Sequence, residues 1–177
     1  MIRFLRDRGG AAAVEFALIA PVLVLMYFGM AEITQALLAD RRAGHVTAAI
    51  GDLVAQYPTL TAAQVDDIFK ISTTLMAPLP AGTMSVRVTS IAIDQDGKAT
   101  ARWSQIGGAK TITAMGKDAP VTDVPADLLV ADEALVRTDI EYVHNSAVKQ
   151  VLPDAFTFKH TIYLKPRGGA PVELKAN

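Results

Sequence analysis

The chain has 177 residues, of which 51% are hydrophobic and 6% aromatic, and its formal net charge is −1. This length suits one domain, or one domain with an appended helix, and the charge balance gives no global basic field for nucleic acid. Because the chain has no Cys, disulfides, thiolate catalysis and Cys-based zinc sites are excluded.

A short basic segment precedes a long apolar run. Arg3, Arg6 and Arg8 outnumber the one acidic residue of the first ten, and the run from Ala11 to Ala31 contains a single charge, Glu15. A bilayer core about 30 Å thick requires roughly 20 apolar residues in a helix. The pattern predicts a transmembrane helix over residues 11–31, with the arginines in the cytoplasm and the rest of the chain on the other side.

Four kinds of targeting segment fit such a run to different degrees. An uncleaved signal anchor needs only the apolar span. A conventional signal peptide could be cleaved after Ala31, behind Gly29 and Met30, but its apolar region is typically about 7–15 residues, and Glu15 is unwelcome in it. A mitochondrial transit segment is amphipathic and Arg- and Ser-rich, whereas this run is uniformly apolar.

The fourth kind is a prepilin leader, and here the sequence resembles the type IV pilins and pseudopilins. The basic leader ends in Gly10, small Ala11 follows, and Glu15 and Phe16 precede the rest of the apolar run. The resemblance implies that a prepilin peptidase cleaves between Gly10 and Ala11. Phe16 is a mild departure from the Tyr that pilins of the tight-adherence (Tad, or Flp) system commonly have after the Glu.

Elementary chemistry makes this motif intelligible. Gly9 and Gly10 offer a backbone without side-chain bulk to a protease cleft. A carboxylate within an apolar helix costs roughly 2.5–3.5 kcal/mol at the helix centre, so it usually has a partner or a role. Glu15 is the i+4 neighbour of Ala11, and the resemblance implies that it meets the free amine of an adjacent subunit. The alternative is a Glu15 that only snorkels to the membrane interface.

The helical pattern continues beyond the membrane segment as far as Pro58. Over residues 32–57 the run becomes amphipathic, which predicts an exported half of one stem helix that packs on a globular part. The predicted apolar stripe consists of Val46, Ile50, Leu53 and Tyr57.

Residues 58–165 predict a small α+β domain. Thr61 and Gln64 form a capping box that starts a second helix, which ends before Pro78. Period-two alternation then predicts four mostly antiparallel strands, with a bulge near Ser90 and a hairpin turn at Asp94–Gly97. The strands begin near Met84, Ala99, Leu135 and Phe156, and residues 166–177 are predicted to form a flexible tail.

The whole pattern resembles TadE-like proteins of the Tad pilus system. The resemblance implies an α+β, pilin-like fold, in which a long transmembrane-plus-exported helix packs on a small antiparallel sheet. It implies a pseudopilin or minor pilin in the bacterial inner membrane, with residues 1–10 as its leader and its C-terminal domain in the periplasm. The implied partners are a prepilin peptidase, other Tad pilins or pseudopilins, and the pilus machinery of the inner membrane.

No catalytic, cofactor or metal site is predicted. His45, His144 and His160 lack the spacing of metal ligands, and Asp94–Gly97 has the start of a calcium loop without its later ligands. Trp103 is interpreted as a core residue of the sheet. The alternative function is an exported or membrane-anchored binding domain with a conventional signal peptide or an uncleaved anchor.

Overall fold

The computed structural model of the protein describes residues 9–145 and 155–175. It contains two α-helices, six β-strands and a 3-10 turn at Ala126–Leu128, which confirms the predicted α+β class. The helices are α1 (Gly9–Ala55) and α2 (Ala62–Met76), and the strands are β1 (Thr59–Thr61), β2 (Met84–Ile93), β3 (Ala99–Gly108), β4 (Ala134–Asn145), β5 (Ala155–Leu164) and β6 (Glu173–Lys175).

The chain divides into two compact units. Of the described residues, the first unit holds 9–38, 145, 155 and 156, and the second holds 39–144 and 157–175. The division falls within α1, after Leu38. The reason is that Ala39 is the first residue of the apolar cluster that forms the larger core.

The core of the second unit lies between a four-stranded sheet and the helices. The sheet order is β3-β2-β4-β5, and β2 is antiparallel to both of its neighbours. The stripe that α1 buries consists of Ala39, Ala43, Val46, Ile50 and Val54. The predicted stripe is wrong at Tyr57, which is 47% exposed because α1 ends at Ala55.

The second helix begins as the sequence predicts. The side chain of Thr61 accepts a hydrogen bond from the backbone N–H of Gln64, and the Gln64 side chain accepts one from the backbone N–H of Thr61. This capping box satisfies two of the N–H groups that a helix start leaves without partners. The helix then buries Val65, Ile68 and Phe69 against the same core.

The predicted irregularity near Ser90 is confirmed, but the extra residue belongs to the neighbouring strand. Ser90 pairs with Trp103 and Ile91 pairs with Ala101, so Arg102 of β3 has no partner. Strand β2 keeps its register with β4 through the same point. The sequence changes phase there because Ile91 faces the opposite side of the sheet, where it joins a second apolar cluster.

The prediction of a flexible tail is wrong for residues 166–175. Strand β6 pairs in parallel with β1, and Val172 is fully buried. The indole N–H of Trp103 donates to the carbonyl of Val172 at 2.7 Å, and the backbone N–H of Arg167 donates to Ala55 at the end of α1 at 2.9 Å. These residues are held in place because they pair with backbone groups of α1 and β1 and with the indole of Trp103 in β3.

Candidate functional site

The predicted processing residues lie in the first two turns of α1. Gly10, Ala11, Glu15 and Phe16 are all exposed and helical. Phe16, although aromatic, is 68% exposed. Three arginines are predicted to stay in the cytoplasm and so to set the orientation of the helix in the membrane. These residues, Arg3, Arg6 and Arg8, lie outside the described residues.

No packing contact among the described residues requires glycine at position 10. A Cβ atom built on it meets nothing within 4 Å, whereas one built on Gly108 lies 2.1 Å from the carbonyl oxygen of Met84. Glycine within a helix costs about 1 kcal/mol relative to alanine. The described part of the fold would therefore tolerate alanine at position 10.

Glu15 lies one helical turn after Ala11. The two side chains share one helix face, since residues four apart are neighbours on a helix surface. Within the part of the chain that the structure describes, Glu15 makes no ion pair or hydrogen bond with its side chain. Its carboxylate is thus open to a partner from outside the described fold.

The first unit exposes an apolar surface of membrane length. Large hydrophobic side chains from Val14 to Leu38 are between 43% and 72% exposed. Among the described residues, α1 is the one helix long and apolar enough to cross a membrane, and its apolar window has a mean hydropathy of 2.1 and is 0% buried. A soluble core helix would be mostly buried, so this surface is of the kind that could cross a membrane.

The groups that the sequence analysis discounted have structural roles. The Nε2 atom of His160 forms a hydrogen bond with the Oδ1 atom of Asp40 in α1 at 2.8 Å. The backbone N–H of Gly97 donates to Asp94 to close the predicted hairpin turn, and Trp103 is a core residue with 7% exposure. The described residues include no cluster of His, Cys, Asp and Glu that could hold a metal ion.

An ion network on the second face of the sheet was not found from the sequence. Asp139 of β4 accepts from Arg87 of β2 at 3.0 Å, from Arg137 at 2.9 Å and from the hydroxyl of Thr161 at 2.7 Å. Arg137 also binds Asp123 of the loop that covers this face. Arg87 donates to the carbonyl of Thr113 in the same loop at 2.9 Å.

The network is electrostatically satisfied. Burial alone would raise the pKa of the Asp123 carboxyl, but the hydrogen bond and the charge of Arg137 outweigh it and lower that pKa below its ordinary value. Burial likewise opposes the charge of Arg137, while Asp123 and Asp139 raise the pKa of its guanidinium. Because both arginines have partners, the network fastens the covering loop to the sheet and leaves no charge free for a ligand.

The comparison with known proteins gives one match, and it falls on the N-terminal helix. A family model described as TadE-like protein matches residues 10–51, a segment that lies within α1. No curated protein and no solved structure matches the chain. The match is consistent with a Tad pilus-associated protein. The matched residues include Gly10, Ala11, Glu15 and Phe16.

Proposed function

We propose that the protein is a TadE-like pseudopilin or minor pilin that takes part in building a Tad (Flp) pilus. Helix α1 holds the precursor in the inner membrane. A prepilin peptidase removes residues 1–10, and the mature chain joins other Tad pilins or pseudopilins and the pilus machinery.

One juxtaposition carries this proposal. The TadE-like match opens at Gly10, and the exposed apolar surface of α1 begins at Val14, directly after the predicted cleavage site. A prepilin leader and an uncleaved anchor both need the apolar surface, but only the prepilin leader gives a role to Gly10.

The open space around position 10 supports a role for its glycine in processing. Since a Cβ there meets no atom within 4 Å, selection for packing does not explain the glycine. A peptidase that binds its substrate in an extended form has to unwind the first turn of α1. Each of two successive glycines lowers the free-energy cost of that unwinding by roughly 1 kcal/mol compared with alanine.

Glu15 supports a role in assembly after processing. Cleavage would leave a positive amine on Ala11, four residues before Glu15. In a membrane, an unpaired carboxylate is costly, and the amine of a neighbouring subunit would offset that cost through a charge-assisted hydrogen bond. The pairing would favour subunits held at one relative height.

The direct test is the mature N-terminus. Protein from the membranes of cells with and without a prepilin peptidase would be measured by mass spectrometry, alongside Gly10→Ala and Glu15→Gln variants. We expect a chain that starts at Ala11, and a Gly10→Ala variant processed about tenfold more slowly or worse, equivalent to about 1.4 kcal/mol of activation free energy. Glu15→Gln should be processed but fail to assemble.

The matched control is Gly82→Ala, since a Cβ at Gly82 also meets nothing within 4 Å but lies far from the leader in sequence. It should be processed at the wild-type rate. A chain that starts at Glu32 would identify a conventional signal peptide and contradict the proposal. An intact Met1 in every strain would leave an uncleaved anchor and contradict it equally.

A further inference from the structure

The second unit contains an open groove beside its bulged strand. The cavity has a volume of about 370 Å³. Its apolar lining comes from Trp103, Met115 and Leu174, and its charged lining from Arg102, Lys117 and Glu173. Arg102 is the unpaired residue of the β3 bulge, and bulges commonly re-aim a side chain at a functional surface. We call this cavity the basic groove.

The two cations of the basic groove are free to bind a partner. Arg102 and Lys117 are exposed, and among the residues that the structure describes neither makes an ion pair or a side-chain hydrogen bond. Glu173 offsets one of these two positive charges, so the lining keeps a net charge of +1. An apolar floor with a positive rim suits a segment that carries both apolar and acidic side chains.

The chain itself presents such a segment on the same unit. The loop Asp127–Asp132, which we call the acidic loop, begins in the 3-10 turn and exposes Asp127 and Asp132. Val130, between them, is 44% exposed. Neither aspartate makes an ion pair within the described ranges. Val130 is one of three large hydrophobic side chains exposed in the described part of the second unit, with Tyr57 and Ile71.

We propose that the acidic loop of one copy docks into the basic groove of a second copy. Asp127 and Asp132 would face the rim cations Arg102 and Lys117, and Val130 would enter the apolar floor. Because the loop and the groove share no residue, two copies either exchange loops reciprocally in a closed pair or dock head to tail. A head-to-tail pair leaves one loop and one groove free, and such a contact closes a ring or extends a filament.

The expected contact is weak on its own. A six-residue loop in one groove buries less than the roughly 1,000 Å² that a stable interface needs. Copies held in one membrane by α1 have a high effective concentration, which makes a weak contact productive. The charges would mainly set register and partner choice, and their effect should fall as salt rises.

Disulfide trapping between single-cysteine variants of the full chain tests the contact, because the natural chain has no Cys. Gly116→Cys puts a thiol on the rim next to Lys117, where a Cβ meets nothing within 4 Å. Ala131→Cys puts one at an exposed position of the acidic loop. The two variants, with different tags, would be mixed in phosphatidylcholine vesicles and mildly oxidised.

We expect the mixed 116–131 disulfide to exceed both like pairs severalfold. With equal amounts of the two variants, a mixed pair only about as abundant as the two like pairs together would indicate random collision. A dominant like pair would indicate a contact of like surfaces, and either result would overturn the proposal.

Charge reversal provides the second measurement. Arg102→Glu with Lys117→Glu in the groove chain should lower the mixed yield severalfold. Asp127→Lys with Asp132→Lys in the loop chain should then restore it. All four side chains are exposed, but Asp132 has a φ of +61°, a conformation that favours Asp over Lys, so the thermal unfolding midpoint of each variant would be measured as well. An unchanged yield after the first reversal, or no recovery after the second, would overturn the proposal.

This inference does not rest on leader processing, and the two experiments can fail independently of each other. A mature chain that starts at Ala11 without the mixed disulfide would remove only the loop-in-groove contact. The mixed disulfide with an N-terminus elsewhere would remove only the proposed processing.

Discussion

Asp139 shows how one carboxylate can organise a sheet face. It is 6% exposed and accepts hydrogen bonds from Arg87 and Arg137 on two adjacent strands. Asp139→Ala would remove one carboxylate partner from each of two largely buried guanidinium groups. We expect a loss of about 3 kcal/mol in the free energy of unfolding, measured by urea denaturation with the fluorescence of Trp103.

Asp67→Ala is the control for that substitution. Asp67 pairs with Lys70 on the surface of α2 at 2.6 Å, and both side chains are more than two-thirds exposed. Exposed pairs contribute little because solvent screens them, so this variant should unfold at the wild-type urea concentration. Equal effects of the two substitutions would show that the network on the second face does not stabilise the fold.

Gly108 is a residue whose backbone excludes any side chain. Its φ is +74°, and a Cβ there would lie 2.1 Å from the carbonyl oxygen of Met84. A left-handed conformation costs a non-glycine residue of order 1–2 kcal/mol, and the clash adds to that cost. We expect Gly108→Ala to lower the free energy of unfolding by about 2 kcal/mol or more, while Gly116→Ala, with open space around it, should have little effect. Similar midpoints for both variants in thermal unfolding would contradict this.

Residue patterns predicted some of these features and not others. The capping box of Thr61 and Gln64 could be read directly, because its two hydrogen bonds join residues three apart in sequence. The Arg87–Asp139 pair joins residues 52 apart. It exists only in the observed register of β2 and β4, which a single sequence does not specify.

At the scale of elements, the local periodicities were the reliable signal. Both helices and the four longer strands follow clear periods of 3.6 or 2, and the structure has them near the predicted positions. Strands β1 and β6 have three residues each, too few for any period. Their parallel pairing joins Thr59 to Glu173, so it depends on the tertiary fold and was missed.

The C-terminal strand leads to a testable consequence. A chain that ends at Lys165 loses β6, the buried Val172 and the carbonyl that accepts from Trp103. We expect this truncation to lower the urea midpoint substantially and to make the second unit sensitive to trypsin. A chain that ends at Lys175 removes only two residues and should match the full chain. Full protease resistance after the longer truncation would restore the interpretation of a flexible tail.

At the scale of the whole molecule, composition predicted that an apolar helix and a globular part share one chain. It did not predict where one unit ends and the other begins. The sequence divides α1 by the end of its uniformly apolar run, whereas the fold divides it at Leu38. The difference arises because Ala39 and Ala43 are fully buried, and alanine gives too weak a hydrophobic signal to mark a core stripe in advance.

The observed division predicts the shortest chain that folds without a membrane. A chain that starts at Ala39 keeps the whole apolar core of the second unit and loses the exposed side chains from Val14 to Leu38. It should be soluble without detergent and unfold cooperatively in urea. A chain that starts at Pro58 lacks the α1 stripe from Ala39 to Val54 and should aggregate or unfold without cooperativity, since each lost core side chain larger than alanine costs on the order of 1–3 kcal/mol. If the chain from Pro58 were equally soluble and cooperative, the part of α1 after Leu38 would not be needed for the core, which would contradict both the observed packing and the packing that the sequence predicts.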